Sequence, residues 1–192
     1  MDRFRNYVKI TEADEIGRRY FIKNGFDGAL TMLGIITGTF LADVHDPKIV
    51  IGAGVGATLA MGMSGLFGTY MTERAERTRN LRKLERAMVT NLDETVWDEA
   101  SNFVTLWAAV IDGLSPALVA IIAVIPFIAA QLGMADFYTA LVASLTILAI
   151  ILFLMGSYIG KIAGENLPIN GLKMLSVGVL TAIIVLLFSM VE

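Results

Sequence analysis

The chain has 192 residues, 56% of them hydrophobic, and a mean hydropathy of +0.69, well above that of a soluble domain. Its net charge is only −3 and it has no cysteine, which excludes a polybasic nucleic-acid footprint, a disulfide framework and a thiolate metal site. These numbers leave an all-α integral membrane protein.

Residues 1–19 carry charges throughout, from Asp2 and Arg3 to Arg18 and Arg19, and lack the apolar stretch of a cleaved signal peptide. Phe4, Tyr7 and Val8 recur there at helical spacing, so the segment reads either as an interfacial helix or as a solvated N-terminal one. A first span is expected over 20–42, interrupted by Lys23, Asn24 and Asp27. The lone histidine, His45, falls in the polar turn that follows and reads as a loop residue rather than a ligand. The second span, 49–71, repeats a small residue at every fourth position: Gly52, Gly56, Ala60, Ser64 and Gly68. That face is expected to be a helix-packing seam, with a binding surface as its other use.

Residues 72–102 form the one sizeable polar segment. It opens as a charged helix and turns acidic at Asp93, Glu94, Asp98 and Glu99. It reads either as a solvated face or, through Glu73, Glu76, Glu94 and Asp98, as a cytoplasmic entrance for cations. Three more spans are expected within 103–191: 103–132, 137–160 and 172–191. The first of these carries Asp112 and is interrupted by Pro116 and Pro126, which invite kinks or local unwinding. Each of the five spans is near the ~20 residues a bilayer core requires. Of the fifteen Lys and Arg, all but Lys48 fall in the N-terminal segment, in 72–102 or in the link around 161–173. The positive-inside rule then puts the N-terminus in the cytoplasm and the C-terminus outside or in a lumen, with the cell membrane as the site in a prokaryote.

The chain also carries a weak internal repeat. Phe26-Asp27-Gly28 recurs as Ile111-Asp112-Gly113, and Gly68-Thr69-Tyr70 recurs in the same order as Gly156-Ser157-Tyr158. Each unit would hold two spans, so the first four spans would form two parallel two-helix repeats. Both phrases put an aspartate inside an apolar stretch, which is costly and marks a functional site by default. Each has a plainer alternative. Asp27 lies near Asn24-Gly25 and four residues after Lys23, so it can cap or pair. Asp112 follows Trp107, which can mark the interface. Two carboxylates in a poorly solvated site need protons or a cation as counter-charge, which is the minimum for exchanging protons against a divalent metal. Sulfur from Met61, Met63 or Met32 nearby would favour softer transition metals.

These residues resemble the vacuolar iron transporter family of Fe²⁺ and Mn²⁺ transporters. The resemblance rests on Gly25-Phe26-Asp27-Gly28-Ala29-Leu30-Thr31, on Ala60-Met61-Gly62-Met63-Ser64-Gly65, on the charged segment after the second span, and on five spans with the N-terminus inside. It implies that Asp27 and Met61 line a metal path; Asp112 and Met63 are further metal candidates from the residues themselves. It also implies a homodimer, and export of metal from the cytoplasm coupled to inward proton flow, the metal being substrate and not cofactor. The chain resembles a short member, since 72–102 leaves no room for the large cytoplasmic metal-binding domain that some members carry. Two rivals remain. One is a non-transporting membrane scaffold or chaperone. The other is an intramembrane aspartyl protease, which the Gly25-Phe26-Asp27-Gly28 context does not match.

Overall fold

The computed structural model describes residues 13–90 and 95–189. Among them every regular element is helical: α1 (Ala13–Leu41), α2 (Pro47–Met88), α3 (Val96–Gln131), α4 (Phe137–Ala163) and α5 (Leu167–Ser189). In α2 to α5 a stretch is long and apolar enough to cross a bilayer, which makes this a multi-pass membrane protein. α1 has the length, at 29 residues, but its asparagine, aspartate, threonines and glycines leave it no stretch as apolar as those of the other four. Most of the expected interfacial helix over 1–19 lies outside the described residues, and from Ala13 onward the chain is already in α1. Asp93 and Glu94 lie outside them as well.

Two features depart from simple span-and-linker logic. α2 runs unbroken for 42 residues, ~63 Å at 1.5 Å per residue. No Gly or Pro interrupts it between Met71 and Met88, so the apolar span and the charged segment are one rod. α3 stays helical through both Pro116 and Pro126, so of the two expected outcomes, kinks or local unwinding, the chain does not unwind. Each proline still removes one backbone donor, leaving the carbonyl four residues earlier without its helical partner.

Local chemistry accounts for the helix ends. Asp46 opens α2, its carboxylate accepting from the Lys48 amide at 2.9 Å, with Pro47 in the first turn where its missing N–H costs nothing. Asp136 caps α4 through the Thr139 amide at 3.1 Å. At the other ends, α1 to α4 all stop on a residue in the left-handed region: Asp43, Val89, Gly133 and Gly164. The following amide then bonds back to the carbonyl five residues before it, as in Thr90 N–H to Glu85 at 3.2 Å. This is the Schellman closure, unstrained at the glycines and strained at the β-branched Val89.

Contacts gather the chain into two compact units, with α1, α2 and α3 each contributing to both. The unit formed by 25–60 and 116–189 has a continuous apolar core, including Met32, Ile36, Val50, Phe127, Leu148 and Leu152. Within it α4 and α5 meet through small residues. A methyl group added at Gly171 would stand 2.6 Å from Ser157 Oγ, and one at Gly160 would stand 2.9 Å from Asn170 Nδ2. The other unit, 13–24, 61–90 and 95–115, packs around Ala100, Val104, Ala108 and Ala109, and buries Thr69, Thr105, Asp112 and Ser115.

Candidate carboxylate site

The close approach of α2 and α3 begins with glycine. A Cβ added at Gly113 would stand 2.8 Å from the Gly62 carbonyl oxygen, and one at Gly65 would stand 3.1 Å from both Asp112 C and O. The two backbones are therefore in direct contact, with the carbonyl that Pro116 leaves without a helical partner lying against Gly65. One turn further along α2, Thr69 reaches Asp112.

Asp112 is 6% exposed within an apolar helix. Thr69 Oγ1 donates to its Oδ2 and Asn24 Nδ2, from α1, donates to its Oδ1. The Asn24 amide nitrogen also donates to the Tyr20 carbonyl at 3.1 Å. Tyr20 in turn donates its hydroxyl hydrogen to Glu73 Oε1 at 2.8 Å, and Arg77 Nε lies 3.3 Å from Glu73 Oε2. Among the described residues no Lys, Arg or His pairs with Asp112. Its two described donors, Asn24 and Thr69, are both neutral, an arrangement that can hold a carboxylate in place and can yield it to a cation.

The remaining candidates are dispersed. Asp27 is exposed on α1 in the other unit. It has no ion-pair partner among the described residues, Lys23 included. Met61 and Met63 share the unit of Asp112; Met61 is half-buried and Met63 is 56% exposed, while Met32 belongs to the other unit's core. No group of three or more His, Asp or Glu among the described residues gathers closely enough to hold a metal ion. At the expected entrance, Glu73 is engaged by Tyr20 and Arg77, Glu76 lies 3.6 Å from Arg79, and Asp98 accepts from Asn102 at 3.4 Å; Glu94 is outside the described residues. Among the described residues nothing lies within 4 Å of a would-be Cβ at Gly52, Gly56 or Gly68, and Ala60 and Ser64 are exposed. The glycines of α2 that touch the rest of the chain are Gly54, Gly62 and Gly65. His45, at the polar turn, rests among Phe40, Phe137 and Tyr138, with Nε2 3.2 Å from the Tyr138 oxygen.

Sequence reasoning passed over Asn24 and Thr69 as site residues. Asn24 was visible only as context for Asp27, and Thr69 only as part of a repeated phrase. Their common partner is 88 and 43 residues away, a separation that no local spacing encodes.

No family model matches the chain. It is 31% identical over 173 residues to an uncharacterized protein, MJ0645, of Methanocaldococcus jannaschii, across 88% of this chain and 87% of that protein.

Proposed function

We propose, for a chain that belongs to the same family as the uncharacterized archaeal protein MJ0645, that it is a transporter moving a divalent transition metal, Fe²⁺ or Mn²⁺, out of the cytoplasm in exchange for protons. The observation that carries this reading is Asp112, a carboxylate buried in an apolar helix and without an ion-pair partner among the described residues. Such a group is costly to keep in a membrane protein and is retained where an ion or proton must be met. Asp27 is a second carboxylate within an apolar stretch, exposed on α1 and without an ion-pair partner among the described residues. In this reading Asp27 and Met61 line the metal path, with Met63 as a further sulfur ligand. Asp112 is the carboxylate over which metal and protons compete, and the acidic positions of α2 and α3 gather cations. α1 also crosses the membrane as the first of five spans, the N-terminus is cytoplasmic, the first four spans form two parallel repeats, and the working form is a homodimer.

A second reading has its own support. Both Asp112 oxygens are satisfied inside the chain, as they would be in a membrane scaffold whose aspartate only ties three helices together. Uptake of Fe²⁺ and Mn²⁺ into proteoliposomes under an imposed pH gradient separates the two. A transporter shows gradient-driven flux that Asp27→Asn and Asp112→Asn abolish, whereas a scaffold shows none in any variant.

A further inference from the structure

Helical threonines in this chain share a habit. Thr31, Thr37, Thr39, Thr58, Thr72 and Thr105 each donate to the backbone carbonyl four residues earlier, at 2.6–2.9 Å, the ordinary local bond for this residue in a helix. Thr69 departs from it and directs its hydroxyl across to Asp112 on the neighbouring helix. Its local alternative, the Gly65 carbonyl, stands four residues back on the same helix. Asn24 is similarly placed between two acceptors, the Asp112 carboxylate and the Tyr20 carbonyl.

A hydrogen aimed at a carboxylate oxygen occupies one of the lone-pair directions that a metal ion would use. With one donor on each oxygen of Asp112, a cation that takes both oxygens competes with Asn24 and Thr69 for the carboxylate. We infer that Asn24 and Thr69 are positioning residues that form a latch on Asp112: they hold its carboxylate in a closed arrangement and compete with the transported cation for it. This rests on the transporter reading. Release is inexpensive because each donor keeps or gains a local partner, Asn24 its bond to Tyr20 and Thr69 the carbonyl of Gly65. The latch also depends on helix position, since Thr69 reaches Asp112 only while the glycine contact keeps α2 against α3.

Thr69→Val preserves shape and removes the donor, Thr69→Ser restores it, and Asn24→Leu removes the other arm. The first readout needs no transport: the rate at which a hydrophobic carbodiimide labels Asp112, followed by mass spectrometry of its peptide. Labelling is expected to rise several-fold in Thr69→Val and Asn24→Leu and to stay at the wild-type rate in Thr69→Ser. The second is Mn²⁺ flux in proteoliposomes. Thr69→Val is expected to lower KM about tenfold, the worth of a charged hydrogen bond, without raising the maximal rate, and Thr69→Ser to return it. Unchanged labelling in both Thr69→Val and Asn24→Leu overturns the latch. So does a KM that stays level or rises while the rate falls, which is what a purely structural role produces. If the labelling pattern appears but the wild type moves no metal, the transporter reading fails and the closed arrangement of Asp112 stands.

Discussion

Gly65 on α2 lies against the backbone carbonyl of Asp112 on α3, and four residues further along α2 Thr69 bonds the carboxylate of that same aspartate. Backbone contact and side-chain bond are therefore two readings of one helix separation. A side chain at the first position displaces the second.

Glycine substitutions along α2 and α3 should consequently sort by register. Gly113→Ala places a methyl 2.8 Å from the rigid Gly62 carbonyl and is expected to cost about 1–3 kcal/mol as an overpacked contact. Gly65→Ala, at 3.1 Å, is expected to cost less and to weaken the Thr69–Asp112 bond. Gly56→Ala meets nothing in the chain, and helix propensity favours it by up to about 1 kcal/mol. Unfolding in detergent measures the order. A Gly56→Ala variant that also changes oligomeric state would show that the open small-residue face serves a second copy.

Tyr20→Phe removes one of the two groups that engage Glu73 while leaving the ring. The expected loss is about 1 kcal/mol, the net worth of one hydrogen bond in a partly exposed setting. Unfolding of Tyr20→Phe beside Glu73→Ala, which removes the acceptor, checks it. The double variant should lose little more than Glu73→Ala alone, because the two side chains share the interaction.

Val89 ends α2 at φ 51° and is 91% exposed, so its side chain gains no packing in return for its backbone strain. Val89→Gly is expected to stabilise the end of α2 by about 1 kcal/mol. Slower amide hydrogen exchange at Thr90, whose N–H closes the motif on Glu85, would register the gain.

Asp136 carries a pH dependence. Hydrogen bonds from the Thr139 hydroxyl and then its amide hold the carboxyl below its ordinary value. A group whose folded value is depressed contributes stability above its unfolded value and loses it as pH falls through the folded one. The first turn of α4 should therefore fray as pH drops below the usual carboxylate range, seen as faster exchange of the Thr139 amide. Asp136→Asn should remove that dependence, since the amide caps without titrating.

The helical class was legible because apolar runs near bilayer length can satisfy their backbone only as helices. Pro116 and Pro126 invite kinks or local unwinding, and the helix does not unwind; the Asp112 carbonyl without its helical partner lies against Gly65. Charge composition separated 72–102 from the second span, but helix continuity depends on breakers, and none stands between Met71 and Met88. Asp112 stood out as an aspartate in an apolar stretch, and its burial agrees with that signal. Its partners did not stand out, because Asn24 and Thr69 are ordinary residues made special by a three-helix meeting. The small-residue stripe was equally visible, yet which glycine touches a neighbour is a matter of rotation about the helix axis: Gly62 and Gly65 face α3, and Gly52, Gly56 and Gly68 do not.

The measurement to make is Fe²⁺ and Mn²⁺ uptake into proteoliposomes with an imposed pH gradient, for the wild type, Asp27→Asn and Asp112→Asn. The transporter reading predicts flux that follows the gradient and is lost in both variants while their folding, checked by unfolding in detergent, persists. Correctly inserted, folded wild-type protein that moves neither ion under either gradient direction would contradict it and leave Asp112 as the tie between three helices.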